Sequence, residues 1–185
     1  MTSTSRLSSL LVRDGLVGVN RMEHVFQRQV IYGGALDTIL LEMDLVADHQ
    51  LQQYLSLATG LPTANGELHQ EPADALLKTC TKDVAKKYQV VPIGLNEAAL
   101  VVLVSDPVEL GKLEGLADEL DLSVQPMVVP EYQYRLSFAR IFGEESDERF
   151  TKLAEKASSD QSEVAKPKQV PTVTIGERAP IDQDE

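Results

Sequence analysis

The residues best suited to chemistry are scattered, and the scatter is informative. Metal ligation needs His, Cys, Asp or Glu at fixed short spacings, and His24, His49, His69 and Cys80 show none with one another. A serine nucleophile needs a sharp G-x-S-x-G turn, which neither Ser8-Ser9 nor Ser56 has. Asp118, Glu119 and Asp121 cluster after a helical stretch and read as a solvated face rather than a general acid and base. A phosphate loop needs GxxxxGK followed by Ser or Thr, whereas Gly111-Lys112 lacks both the preceding glycines and the following hydroxyl. No set supplies a nucleophile, a metal or a phosphate cradle, so the expectation is a protein without catalysis of its own.

Bulk properties narrow the classes. In 185 residues the net charge is −12, with 43% hydrophobic residues, 5% aromatics and no Trp. An acidic chain cannot neutralise a phosphate backbone, which argues against a nucleic-acid polymer as partner. A core without Trp must rest on Leu, Val, Ile and Ala. The single cysteine excludes an internal disulfide and fits a reducing compartment. No stretch nears the roughly 18 apolar residues of a membrane span, so no direct membrane insertion is expected. Arg6 and Arg13 bracket too short an apolar core for a secretory signal. A cytoplasmic protein is the expectation.

The elements that must position any site fall into three sections, with boundaries expected at residues 1–62, 63–142 and 143–185. In the first, Leu7, Leu10, Leu11, Leu16 and Val17 follow helical spacing around Gly15, and Met22, Val25, Phe26 and Gln29 suggest a second helix. Adding 29 to each core position reaches Leu36, Ile39, Leu40, Leu45, Val46, Leu51, Tyr54 and Leu55. This is a duplicated helix-turn-helix unit, with Val30 to Gly34 as connector and Gly60-Leu61-Pro62 as its close. In the second section, PADALLKT and TKDVAKKY read as helices and QVVPIGL, ALVVLVS and SVQPMVV as strands, with a turn at Asn96-Glu97. Asp106-Pro107 is expected to start a helix, with Asp106 as its cap, and Pro130 to start another that ends near Ile141-Phe142. From Gly143 apolar periodicity fades after a brief helical extension, and a disordered acidic tail is expected. Within it Val170 to Gly176 (VPTVTIG) is a β-prone island, able in principle to add a strand to a partner's sheet. The fold class is α+β: a bundle of duplicated helical units, then a small α/β layer, then the tail.

Three stretches carry a family resemblance: RLSSLLVRDGLV closed by Gln29, its repeat ALDTILLEMDLV, and above all KKYQVVPIGLNEAALVVLVSDPVEL. Together, over roughly Arg6 to Phe142, they resemble the N-terminal, MshEN-type domain of type II secretion and type IV pilus assembly ATPases. The ATPase module of that family has no counterpart in this sequence, which therefore looks like a free-standing accessory domain. The resemblance implies cyclic di-GMP as the ligand if there is one, since tandem units of this kind bind it in several members. Each full unit there reads Arg-Leu-Gly, a leucine-rich helix, a glycine turn and a terminal Gln.

Carried over by position, the resemblance implies ligand contacts from Arg6, Leu7, Ser8, Leu10, Leu11 and Gln29 in the first unit and Leu36 and Leu40 in the second. An Arg would grip phosphate or guanine, and the leucines would floor the bases. The departures are Ser8 for Gly, and in the second unit Ala35 for Arg, Asp37 for Gly, Asp44 for the turn Gly and Ala58 for Gln. One lost charged contact costs on the order of 1.5–3 kcal/mol, and Asp37 near a phosphate adds repulsion of about 1–4 kcal/mol. The function implied is a non-enzymatic cytoplasmic interaction or regulatory module with a degenerate cyclic di-GMP site. Its partner would be a protein component of a secretion, pilus or motility machine. The alternative is a cyclic di-GMP receptor that relays the signal to such a machine.

Overall fold

A computed structural model describes residues 3–64, 74–95 and 99–164. Four helices open the chain: α1 Ser3–Arg13, α2 Val19–Tyr32, α3 Leu36–Glu42 and α4 Asp48–Thr59. The pairs α1–α2 and α3–α4 repeat one pattern. Leu7 and Leu36, Leu11 and Leu40, Val17 and Val46, and Met22 and Leu51 are all buried, each pair 29 positions apart. Even the turns correspond. Gly15 has φ +72°, and Asp44, at the matching place, has φ +54°. Glycine enters this left-handed region freely and aspartate only at some cost, so the backbone geometry of the unit persists where its glycine does not.

Two short helices follow, α5 Asp74–Thr79 and α6 Lys82–Tyr88, the second capped by the Thr81 hydroxyl, which accepts from the Val84 N–H. Then come β1 Val91–Leu95, β2 Ala99–Val104, α7 Leu110–Leu120, β3 Ser123–Val128 and α8 Glu131–Phe142. The sheet order is β1-β2-β3, antiparallel between the first two and parallel between the last two, with α7 as the crossover. A register shift between Pro92 and Gly94 bends the edge strand β1. The middle strand is buried along almost its whole length, as its continuous run of Val and Leu requires. Beyond the second helical pair, Pro62 O accepts from Val128 N–H at 2.8 Å, and Thr63 bridges the same residue. Buried apolar residues from Leu7 to Ala157 form one cluster.

Three expectations need correction. Val30 to Tyr32, read as connector, form the last turn of α2, with Arg28 stacked 4.8 Å above the Tyr32 ring; the connector is Gly33 and Gly34, both at positive φ. Asp106 caps no helix. The Asp106-Pro107 bond is cis, Glu109 is still extended, and α7 begins at Leu110. The helical extension after Gly143 is also far from brief: α9 Glu148–Val164 packs on α8, burying Phe150, Leu153 and Ala157 at helical spacing. Its charged and small neighbours hid that stripe. The turn at Asn96-Glu97, His69 and the island at Val170 to Gly176 lie outside the described residues.

Candidate functional site

The ends of the two helical units meet at the Gly33-Gly34 connector. On α1, Arg6 is exposed and Leu10 half-buried, while Ser8 is 9% exposed and Leu7 and Leu11 are fully buried. Near the end of α2, the Gln29 amide donates to Gly34 O at 3.0 Å and so clamps the connector. On α3, Leu36 and Leu40 are buried in the core. Of the eight residues singled out, then, Leu7, Leu11, Leu36 and Leu40 hold the helices together, and Arg6 and Leu10 reach solvent.

The start of α3 is arranged around an acid that the sequence did not single out. Ala35 precedes the helix and offers no capping side chain. Glu131, the first residue of α8, reaches in instead: its Oε2 accepts from the Ala35 N–H at 2.8 Å and from the Thr38 hydroxyl at 2.7 Å. The favour is returned. Asp37 Oδ2 accepts from the Glu131 N–H at 2.7 Å, while its Oδ1 accepts from the Thr38 N–H at 2.9 Å. Each helix thus has one N-terminal amide bonded by a carboxylate of the other, where the dipoles favour negative charge. Asp37 is 1% exposed, and burial pushes its carboxyl up to about 7; the charges of Glu131 and Asp106 add to this, and the N–H bonds oppose it.

A second pair supports the same seam. The Tyr132 hydroxyl donates at 2.8 Å to Asp48 Oδ1 on α4, and Gln52 donates to the other oxygen at 2.7 Å. Asp48 is 2% exposed, and burial, then Asp48, raises the Tyr132 phenol well above its ordinary range. On the far side, Arg149 of α9 donates to both Glu42 oxygens, at 2.5 and 3.1 Å, and to Gly33 O at 3.2 Å.

Beside the clasp opens a cleft of about 1080 Å³. Gln29, Ala35 and Leu36 line it together with Lys112, Glu131 and Arg135, whereas Arg6, Leu7, Ser8, Leu10, Leu11 and Leu40 do not. Its cations are already engaged: Lys112 with Gln89 at 2.5 Å, Arg135 with Glu131 at 3.3 Å, and Lys86 with Glu144 at 2.7 Å.

Among the described residues no group of His, Cys, Asp or Glu is placed to hold a metal. His24 and His49 are exposed on separate helices. Cys80 is fully buried, which pushes its thiol up to about 11. Glu119 is bound by Lys87 and by the Tyr88 hydroxyl, at 2.6 Å for the latter, and these bonds hold its carboxyl below the usual range. No helix of the described residues is long and apolar enough to cross a membrane.

The segment that contains the sheet, α8 and Glu131, residues 59–148, matches the model of the MshEN domain. Over those residues the chain is similar to an MshEN domain. It is 26% identical, over 141 residues and 76% of its length, to the type IV pilus assembly ATPase PilB of Myxococcus xanthus (strain DK1622). It spans 25% of that protein. Among solved structures, one of MshE with cdg, the dinucleotide cyclic di-GMP, superposes with a TM-score of 0.56 at 25% identity. That match covers 74% of this chain and 98% of the other. The N-terminal domain of XpsE superposes with a TM-score of 0.55 at 15% identity, covering 77% and 98%, and shares the fold. The matched MshEN segment begins at the end of α4, so Arg6 to Leu40 lie upstream of it, while Glu131 lies within it.

Sequence reading missed Glu131 and took Asp37 for a lost glycine. Each acid stands in the first turn of a helix whose cap position lacks a polar side chain, and that local signal was legible. Their pairing was not, since 94 positions separate them.

Proposed function

We propose that this protein is a non-enzymatic regulatory module of the cytoplasm that engages a protein component of a secretion or pilus machine, and that its cyclic di-GMP site is degenerate. The kinship with PilB and with the N-terminal domain of XpsE supports the first part. One observation carries the second: the Glu131 carboxylate lies where the second helical unit would receive an anion, beside an Ala35 that offers no guanidinium. A phosphate there would have to displace a hydrogen-bonded carboxylate and face Asp37 as well. Relative to a complete site, binding is weakened by at least roughly a hundredfold.

The receptor reading has its own support in the likeness to MshE with cdg, and in a cleft that reaches Gln29. Calorimetric titration of the whole protein with cyclic di-GMP separates the two. The degenerate-site reading expects no saturation in the micromolar range. Saturable micromolar binding abolished by Arg6→Ala overturns it in favour of a receptor. Affinity capture with the full chain tests the other half: recovery of a secretion or pilus component is expected, and recovery of none counts against the module.

A further inference from the structure

The two helical units are alike in their cores and unlike in what lies over them. α1 packs on α4 and α2 on α3, the same pairing with the units exchanged. In the second unit one face is roofed by the start of α8 and by β3. Glu131 reaches Ala35 and Thr38, the Tyr132 hydroxyl reaches Asp48, and α4 packs on β3 with Leu55 fully buried. Twenty-nine positions earlier stand Arg6, Ser9, Val19 and Phe26. All four are exposed: Val19 at 60% against 2% for Asp48, and Phe26 at 40% against 0% for Leu55. We propose that this bare face is a docking surface for an acidic segment of the partner protein, seated over α1 and α2 as α8 is seated over α3 and α4. The proposal rests on the reading of the protein as an interaction module.

Charge selects the occupant. The roof of the second unit begins with an acid and an aromatic, Glu131 and Tyr132, and the acid meets the Ala35 N–H and the Thr38 hydroxyl. At the place of Ala35 the first unit carries Arg6, which is exposed and forms no ion pair or hydrogen bond among the described residues. A carboxylate brought there gains a charge-assisted bond. The wider balance agrees. Residues 1–34 hold four arginines against two acids, Asp14 and Glu23, although the whole chain has a net charge of −12. Asp14 is already bonded to Arg13. A basic or neutral segment would leave Arg6 unanswered, and a second copy of this chain has its Glu131 and Tyr132 committed to its own seam. Val19, Phe26 and Val30, the last 87% exposed, follow helical spacing along α2 and give the segment an apolar seat.

The test uses the whole chain in its native cell, with a photo-crosslinking phenylalanine analogue in place of Phe26. The control carries the analogue in place of Leu110, which is 62% exposed at the start of α7. Expected is a light-dependent adduct from position 26, and none from position 110, with a component of a secretion or pilus machine. Mass spectrometry should place the attached peptide in an acidic stretch. Arg6→Glu should lower the adduct yield about tenfold or more without changing the thermal unfolding of the protein, and Arg6→Lys should keep most of it. An adduct with a second copy, with lipid or with a basic segment overturns the docking surface, as does a yield indifferent to Arg6→Glu. Affinity capture of such a component without an adduct at position 26 overturns it too, and leaves the interaction module standing. Capture of none overturns both.

Discussion

The guanidinium of Arg149 lies close against Gly34, so that a side chain there would crowd it: a Cβ at Gly34 would stand 3.0 Å from Nη1 and 3.1 Å from Nη2. Gly34 also has φ +98°, where residues with a Cβ are strained. Gly34→Ala should therefore act twice, on the backbone and on the grip that α9 has on Glu42. A loss of about 1–2 kcal/mol is expected in chemical denaturation, with earlier proteolytic cleavage near Gly143. Gly15→Ala, facing open space at φ +72°, should destabilise without changing the cleavage pattern.

The leucines of the helical units can be told apart by truncation. Leu11 and Leu40 are fully buried, and replacement by Ala should cost about 2–5 kcal/mol. Leu10 is half-buried, so Leu10→Ala should cost less than about 1.5 kcal/mol. Thermal or urea unfolding reads the difference. Equal losses at all three positions would contradict the packing described.

Tyr132→Phe leaves the buried Asp48 with Gln52 as its remaining side-chain donor. Removing one partner of a buried carboxylate should cost about 1–3 kcal/mol. Asp48→Asn in the same background should recover part of that loss, because a neutral amide tolerates the site better.

Cys80 should be inert. With its thiol pushed up to about 11 by burial, the thiolate is about a thousandth of the population at pH 8. Alkylation at that pH should be slow in the native protein and rapid in denaturant, and native reactivity should rise with pH towards 11. The reaction is followed by mass spectrometry.

Much of the architecture was readable because it rests on local pattern. The apolar spacing of each helical unit, the strands of Val and Leu and the helix after Pro130 each announce themselves within a dozen or so residues, and the repeat follows from laying the two units side by side. What escaped depends on distant partners. The stripe Phe150, Leu153, Ala157 gains its meaning only from α8, against which it packs. Asp37 looked like damage to a ligand site because its neighbours in sequence give it no task, whereas Glu131 gives it one. The same holds for Asp44, which keeps the left-handed turn of the glycine it replaces and forms an ion pair with Lys156 of α9. Drift in the polar half of the repeat is here partly a change of employment.

The unequal setting of the two helical units has a consequence for recognition. One unit begins at a solvent-facing arginine, and the other begins under a carboxylate delivered by α8. On the proposed reading of a degenerate site, a molecule made of two identical halves would find a handhold on one side and a sealed door on the other. The internal symmetry of the chain is thus a property of its scaffold and not of its outward face.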